Sequence, residues 1–116
     1  MGVTWEKLKN MDWSQFEGRE FEYNNGEEMT TCIIAAADKD IGITAVLKSD
    51  LNFRVMCLRG PTAQKDAYTK QEDYDEYSFF AVTIISGIQK GVIDSADFKA
   101  WGDPGPVSAE YCAFSQ

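Results

Sequence analysis

The sequence predicts an α+β domain: an antiparallel meander sheet of four to five strands, with a long helix and short helices on one face. Three observations predict it. Between Arg19 and Arg59, apolar and β-branched stretches alternate with the turn signals Asn24-Asn25-Gly26, Asp38-Lys39-Asp40 and Ser49-Asp50-Leu51-Asn52. Connections that short join antiparallel neighbours. From Asp73 to Lys90 the period becomes helical, with Tyr77, Phe80, Ile84 and Ile88 on one side. No linker, repeat or low-complexity tract divides the 116 residues, so 1–116 reads as one domain.

Taken in order, Thr4 to Met11 reads as a short helix, because Trp5, Leu8 and Met11 share a side and Thr4 suits the N-cap. Asp12 to Phe16 forms a turn or a single helical turn, ended by Gly18. Arg19 to Tyr23 alternates polar and aromatic residues, so Phe21 and Tyr23 share one face and Glu20 and Glu22 the other. Met29 to Ala37, Ile41 to Leu47 and Phe53 to Arg59 are the next strands, and Gly60-Pro61 closes the last. Thr62 to Lys70 is a weak helix or an ordered loop. Asp73 to Lys90 is the best helix: Asp73, Asp75 and Glu76 complement its macrodipole, and Gly91 suits the C-cap. Asp94 to Trp101 forms a last short helix, and Val107 to Phe114 an edge strand.

Composition removes several function classes. The chain has no histidine, hence no Ser-His-Asp or Cys-His pair and no His-ligated zinc. With 11 Lys and Arg against 19 Asp and Glu, the net charge of -8 opposes binding to a nucleic-acid backbone or an anionic membrane. Cys32, Cys57 and Cys112 are odd in number and form no C-x-x-C, which suits reduced thiols in a cytosol. The N-terminus lacks the pattern of a signal peptide. The longest nearly uncharged run, Tyr77 to Gln89, is 13 residues, short of a membrane span.

The acidic clusters Asp38 to Asp40 and Glu72 to Glu76 lack the ligand spacing of a calcium loop, and each has a local role as a turn or a helix start. No metal or cofactor is expected. Phosphate loops are absent and no histidine activates the strand cysteines, so the chain reads as a non-enzyme. Binding is the better reading. Trp13 and Phe16 lie in a polar turn, and Phe79 flanks the apolar stripe of the long helix. Rings so placed stack on nucleobases. Arg54 and Arg59 belong to one strand, on opposite faces if that strand is regular. Arg59, the Gly60 amide, Thr62 and Lys65 together suit a phosphate. The acid excess supports another reading, imitation of a phosphate backbone to block a nucleic-acid protein.

The segments Ile41-Gly-Ile-Thr-Ala-Val46 and Cys57-Leu-Arg-Gly-Pro61, with the aromatic start of the long helix at Phe79, resemble the first family of phage Thoeris anti-defence sponges. The resemblance covers the general layout: small size, a β-rich first half, then helices. It implies a homo-oligomer that sequesters a cyclic ADP-ribose isomer at subunit contacts. It also implies ligand roles for an N-terminal Trp, a strand Arg and a helix aromatic, which here fit Trp13, Arg54 or Arg59, and Phe79. The chain departs from the family in having no arginine after Arg59. The expected function is a non-enzymatic sponge for a small cyclic nucleotide in the cytoplasm of an infected bacterium. Trp13 and Phe79 would sandwich the adenine, with Phe16 as a further ligand-binding residue, and Arg54, Arg59 and Lys65 would hold the phosphates. The alternative is an acidic, anti-CRISPR-like inhibitor that binds a basic nuclease or effector. Neither reading includes a membrane or direct DNA or RNA binding.

Overall fold

The computed structural model describes residues 4–24, 26–61, 70–94 and 105–106. Helix α1 (Trp5–Lys9) starts at Thr4, whose hydroxyl accepts from the Lys7 amide at 3.2 Å. A 3₁₀ turn follows (Trp13–Phe16), capped by the Asp12 carboxylate on the Ser14 amide. Four strands then form the expected meander: β1 (Glu20–Asn24), β2 (Met29–Asp38), β3 (Gly42–Leu47) and β4 (Asp50–Arg59). Helix α2 (Gln71–Lys90) crosses the sheet and ends at Gly91, whose φ of 94° is the left-handed cap that glycine adopts without a Cβ penalty. The α+β arrangement is therefore the one read from the sequence.

The sheet extends past the meander at both edges. Strand β5 (Val92–Asp94) leaves α2 through Gly91 and pairs parallel to β1; β6 (Gly105–Pro106) pairs antiparallel to β4. The order is β5-β1-β2-β3-β4-β6, a mixed and mostly antiparallel sheet. Asp94, read as a helix cap, is the last residue of β5. The elements expected at 62–69, 95–101 and 107–114 lie outside the described residues.

One sheet face carries the core. Phe21, Cys32, Ile34, Ile43, Ala45, Met56 and Leu58 meet Tyr77, Phe80, Ala81, Ile84, Ile85 and Ile88 of α2, with Leu8, Trp13 and Phe16 closing one end. Each large apolar side chain so buried contributes roughly 1.5–3 kcal/mol. The Tyr77 hydroxyl donates to the Arg59 carbonyl at 2.6 Å, tying α2 to the end of β4. Trp5 packs edge-on against Tyr74 and Tyr77, and its indole N–H donates to the Tyr74 hydroxyl at 3.1 Å, so α1 rides on the start of α2.

Two irregularities set which side chains share a face. Ile34 pairs with Ala45 but Ala36 with Thr44, leaving Ala35 as an extra residue in β2. Met56 pairs with Ala45 but Arg54 with Val46, leaving Val55 extra in β4. An extra residue shifts the alternation by one. Arg54 and Arg59, five apart, therefore fall on the same sheet face, opposite to the core, and correct the expectation of a regular strand.

The β2–β3 turn is closed by the Asp38 carboxylate, which accepts from the amides of Asp40 and Ile41 at 2.7 and 3.1 Å. Behind it β3 and the end of β4 approach so closely that only glycine fits. A Cβ on Gly42 (φ 112°) would overlap the Leu58 carbonyl, and one on Gly60 would overlap the Lys39 carbonyl. Among the described residues no helix is long and apolar enough to cross a membrane. Gly42→Ala combines forbidden φ with backbone overlap and should cost about 3 kcal/mol or more. Denaturant unfolding measures it, and Gly26→Ala, whose Cβ meets open space, serves as the control that carries only the positive-φ cost.

Candidate functional site

The predicted site residues separate into an interior set and an exterior one. Trp13 is 0% exposed, and its indole N–H donates to the Leu8 carbonyl at 2.9 Å. Phe16 is equally interior, with the Arg19 guanidinium 5.6 Å from its ring centroid. Polar neighbours in the turn suggest exposed rings; the 3₁₀ geometry instead turns both inward, while Ser14 and Gln15 face solvent. The sandwich of a base between Trp13 and Phe79 is thus not formed, and Trp13 and Phe16 are core residues.

Arg54 lies on the sheet's second face at 7% exposure, one strand in from the β6 edge, paired with Val46 on one side and Gly105 on the other. Arg59 is half-buried at the end of β4. The glycine after it is buried against the Lys39 carbonyl, so the Gly60 amide is no open phosphate donor. Lys65 lies outside the described residues. Phe79 is 74% exposed. It does not flank the apolar stripe of α2 but stands opposite it, since at 100° per residue Phe79 falls about 180° from Ile88.

Around Phe79 the outer surface of α2 is acidic. Glu72, Asp75 and Glu76 precede it by seven, four and three positions and are all exposed, a spacing that brings helical side chains together. The amide of Gln71 donates to Asp75 at 2.8 Å. This cluster around an exposed ring is the feature that reading residues one by one missed; the seven-, four- and three-residue spacing was the available signal.

The second sheet face carries a polar ladder toward its β1 side, separated from Arg54 by Ile33 and Val46. Lys48 pairs with Glu20 at 2.9 Å, and the Thr31 hydroxyl donates to Glu22 at 2.9 Å. A shallow groove of about 380 Å³ opens at its end, lined by Glu28, Met29, Thr30, Thr31, Lys48 and Ser49. Among the described residues no cluster of carboxylates and thiols has the arrangement of a metal site.

The two described cysteines, Cys32 and Cys57, are poorly suited to act as nucleophiles, and Cys112 lies outside the described residues. Burial, aided by the nearby Glu22 carboxylate, pushes the Cys32 thiol up to about 12. Cys57 is disulfide-bonded and Cys32 is free, which corrects the expectation of three reduced thiols. Burial also raises the Tyr23 phenol.

Two measurements follow from these placements. Trp13→Ala removes a fully buried indole and its hydrogen bond and should cost roughly 3–5 kcal/mol of stability, whereas Phe79→Ala should change it by less than about 0.5 kcal/mol. Thermal unfolding of the two variants decides which ring belongs to the fold. Because Cys32 ionises near 9 when unfolded and near 12 when folded, its share of stability is complete below pH 9 and declines as pH rises toward 12. Denaturant titrations from pH 8 to 11 should show the decline, and Cys32→Ala should reduce it.

Comparison with family models, with curated proteins and with solved structures returns no match, so function is argued from the site itself.

Proposed function

We propose that the chain is a non-enzymatic, homo-oligomeric sponge for a small cyclic nucleotide, a cyclic ADP-ribose isomer or a cyclic oligonucleotide, and that it blocks a bacterial anti-phage signal by sequestration. Phe79 is the observation that carries this reading. Its ring stands outside on a helix whose opposite side is buried, so the core does not account for it. An exposed ring is a stacking platform for a base, with roughly 1–3 kcal/mol available per base. The phosphates would meet the half-buried Arg59 at the end of β4, on the sheet's second face; the bulge at Val55 puts Arg54 on the same face, but buried. Arg59 and Phe79 of one chain belong to different faces, the sheet's second face and the outer side of α2, so a ligand touching both calls for two copies. The layout of β-meander followed by helix agrees with the sponge resemblance, which also expects ligand at subunit contacts.

A second reading draws on Glu72, Asp75 and Glu76 beside the ring. Those carboxylates repel phosphate and attract cations, which favours an acidic inhibitor docked on a basic nuclease or effector. Local donors offset such repulsion only at close range, since charge is screened beyond about 8–10 Å in cellular salt.

The test incubates the protein with cyclic ADP-ribose isomers and cyclic di- and trinucleotides, removes free ligand, then denatures the protein and analyses what is released. Intact nucleotide should be recovered, and Phe79→Ala should lower affinity about 5- to 150-fold, the equivalent of losing one stacked base. Absence of binding to every compound removes the sponge reading. Salt-sensitive capture of a basic protein would then favour the inhibitor, and a chemically altered ligand would make the protein an enzyme.

A further inference from the structure

We infer that the chain's own C-terminal segment, 107–116, docks across the sheet's second face and is fastened there by a disulfide between Cys57 and Cys112. Val46, Arg54 and Cys57 on that face are all buried. None of the three belongs to the core cluster. Cys57 alternates in β4 with the core residues Met56 and Leu58, so its side chain points to the other face. Among the described residues, α1, the 3₁₀ turn and α2 all pack on the core face. A different part of the chain therefore covers Val46, Arg54 and Cys57.

The thiols identify that part. The chain has three cysteines. Cys57 is disulfide-bonded, and Cys32 is free on the core face. Cys112 is the remaining partner. Its reach is sufficient, because Gly105 and Pro106 are held beside Arg54 and Phe53 of β4. From Pro106 to Cys112 is six residues, which extend to about 20 Å. From Phe53 to Cys57 is four residues of strand, about 13 Å. The antiparallel pairing heads the chain from Pro106 toward the start of β4, so the segment turns back over the face to reach Cys57.

Its composition suits the surface. Val107, Ala109, Tyr111 and Phe114 supply apolar cover for Val46, and Glu110, the one acidic side chain in 107–116, brings a carboxylate to the face that carries Arg54 and Arg59. The bond forms by exchange with oxidised glutathione. Two protein thiols become one disulfide, two electrons and two protons pass to the oxidant, and glutathione leaves as two thiols. This inference goes beyond the nucleotide reading and needs no ligand. It explains why Arg54 is buried while Arg59, at the strand end, is only half-buried.

The test treats the full chain with oxidised glutathione, blocks free thiols in denaturant, digests with trypsin without reduction and maps linked peptides by mass spectrometry. Residues 55–59 should be joined to 100–116, with Cys32 as the blocked thiol, and dithiothreitol should separate the pair. A bond through Cys32, a bond between two copies or no bond at all overturns the pairing. Docking is read separately, on the reduced and folded protein, from the rate at which Cys57 alkylates. Glu110→Lys sets a cation against Arg54 and Arg59, and Tyr111→Ser removes a ring from the segment. Each should speed the reaction about tenfold, with the circular dichroism spectrum unchanged. Equal rates in the wild type and both variants overturn the docking, even where the disulfide is found.

Discussion

The packing of α2 across the sheet is the constraint on which the rest depends. Tyr77, Phe80, Ala81, Ile84, Ile85 and Ile88 must meet the apolar side of the sheet together, because each loses its contribution if it returns to water. A helix is rigid in rotation once six such residues are committed. The opposite side is then fixed without further choice, and Phe79 stands outside with Glu72, Asp75 and Glu76 in the preceding turns. Both proposed functional readings start from that single rotational setting. The bond from the Tyr77 hydroxyl to the Arg59 carbonyl sets the axial position as well, since it joins the second turn of α2 to one strand end.

Much of this frame was legible in the sequence because local chemistry and global packing agree. Thr4 caps α1 as its hydroxyl allows, Gly91 ends α2 in the one conformation glycine adopts cheaply, and Asp38 folds the β2–β3 turn onto its own carboxylate. The meander follows from short polar turns between β-branched runs. Where the reading stopped, it stopped for identifiable reasons. Strand β5 is three residues long and pairs parallel to β1 across a wide gap in the chain, so no local pattern announces it. The bulges at Ala35 and Val55 are choices of register, invisible to a rule that counts every second residue.

The site was less legible than the fold, and the cause is physical. A tryptophan in a polar turn has two outcomes, and the winner depends on whether a carbonyl lies within reach of its indole N–H. Here the Leu8 carbonyl does, and the ring goes inside. The arginines were misplaced by a single extra residue at Val55, which turns Arg54 to the face of Arg59. Phe79 is legible as a ring the core does not need, but its acidic neighbours at seven, four and three positions earlier read as a helix start and as part of a general acid excess, not as a surface around that ring. They serve the macrodipole and shape the outer surface at once.

That double role decides how an acidic chain can hold an anionic ligand at all. On one copy, the exposed ring is surrounded by carboxylates and the buried guanidinium is on the far side of the core, so neither surface alone offers both stacking and charge. The proposed nucleotide site therefore calls for a second copy, whose arginine-bearing sheet face would have to meet the Phe79 ring of the first. Under the proposed sponge reading, assembly is a requirement of nucleotide binding and not an addition to it. A partner that is itself basic needs no such arrangement, because the acids around Phe79 already suit it. The oligomeric state is therefore the physical property that separates the two readings of this protein.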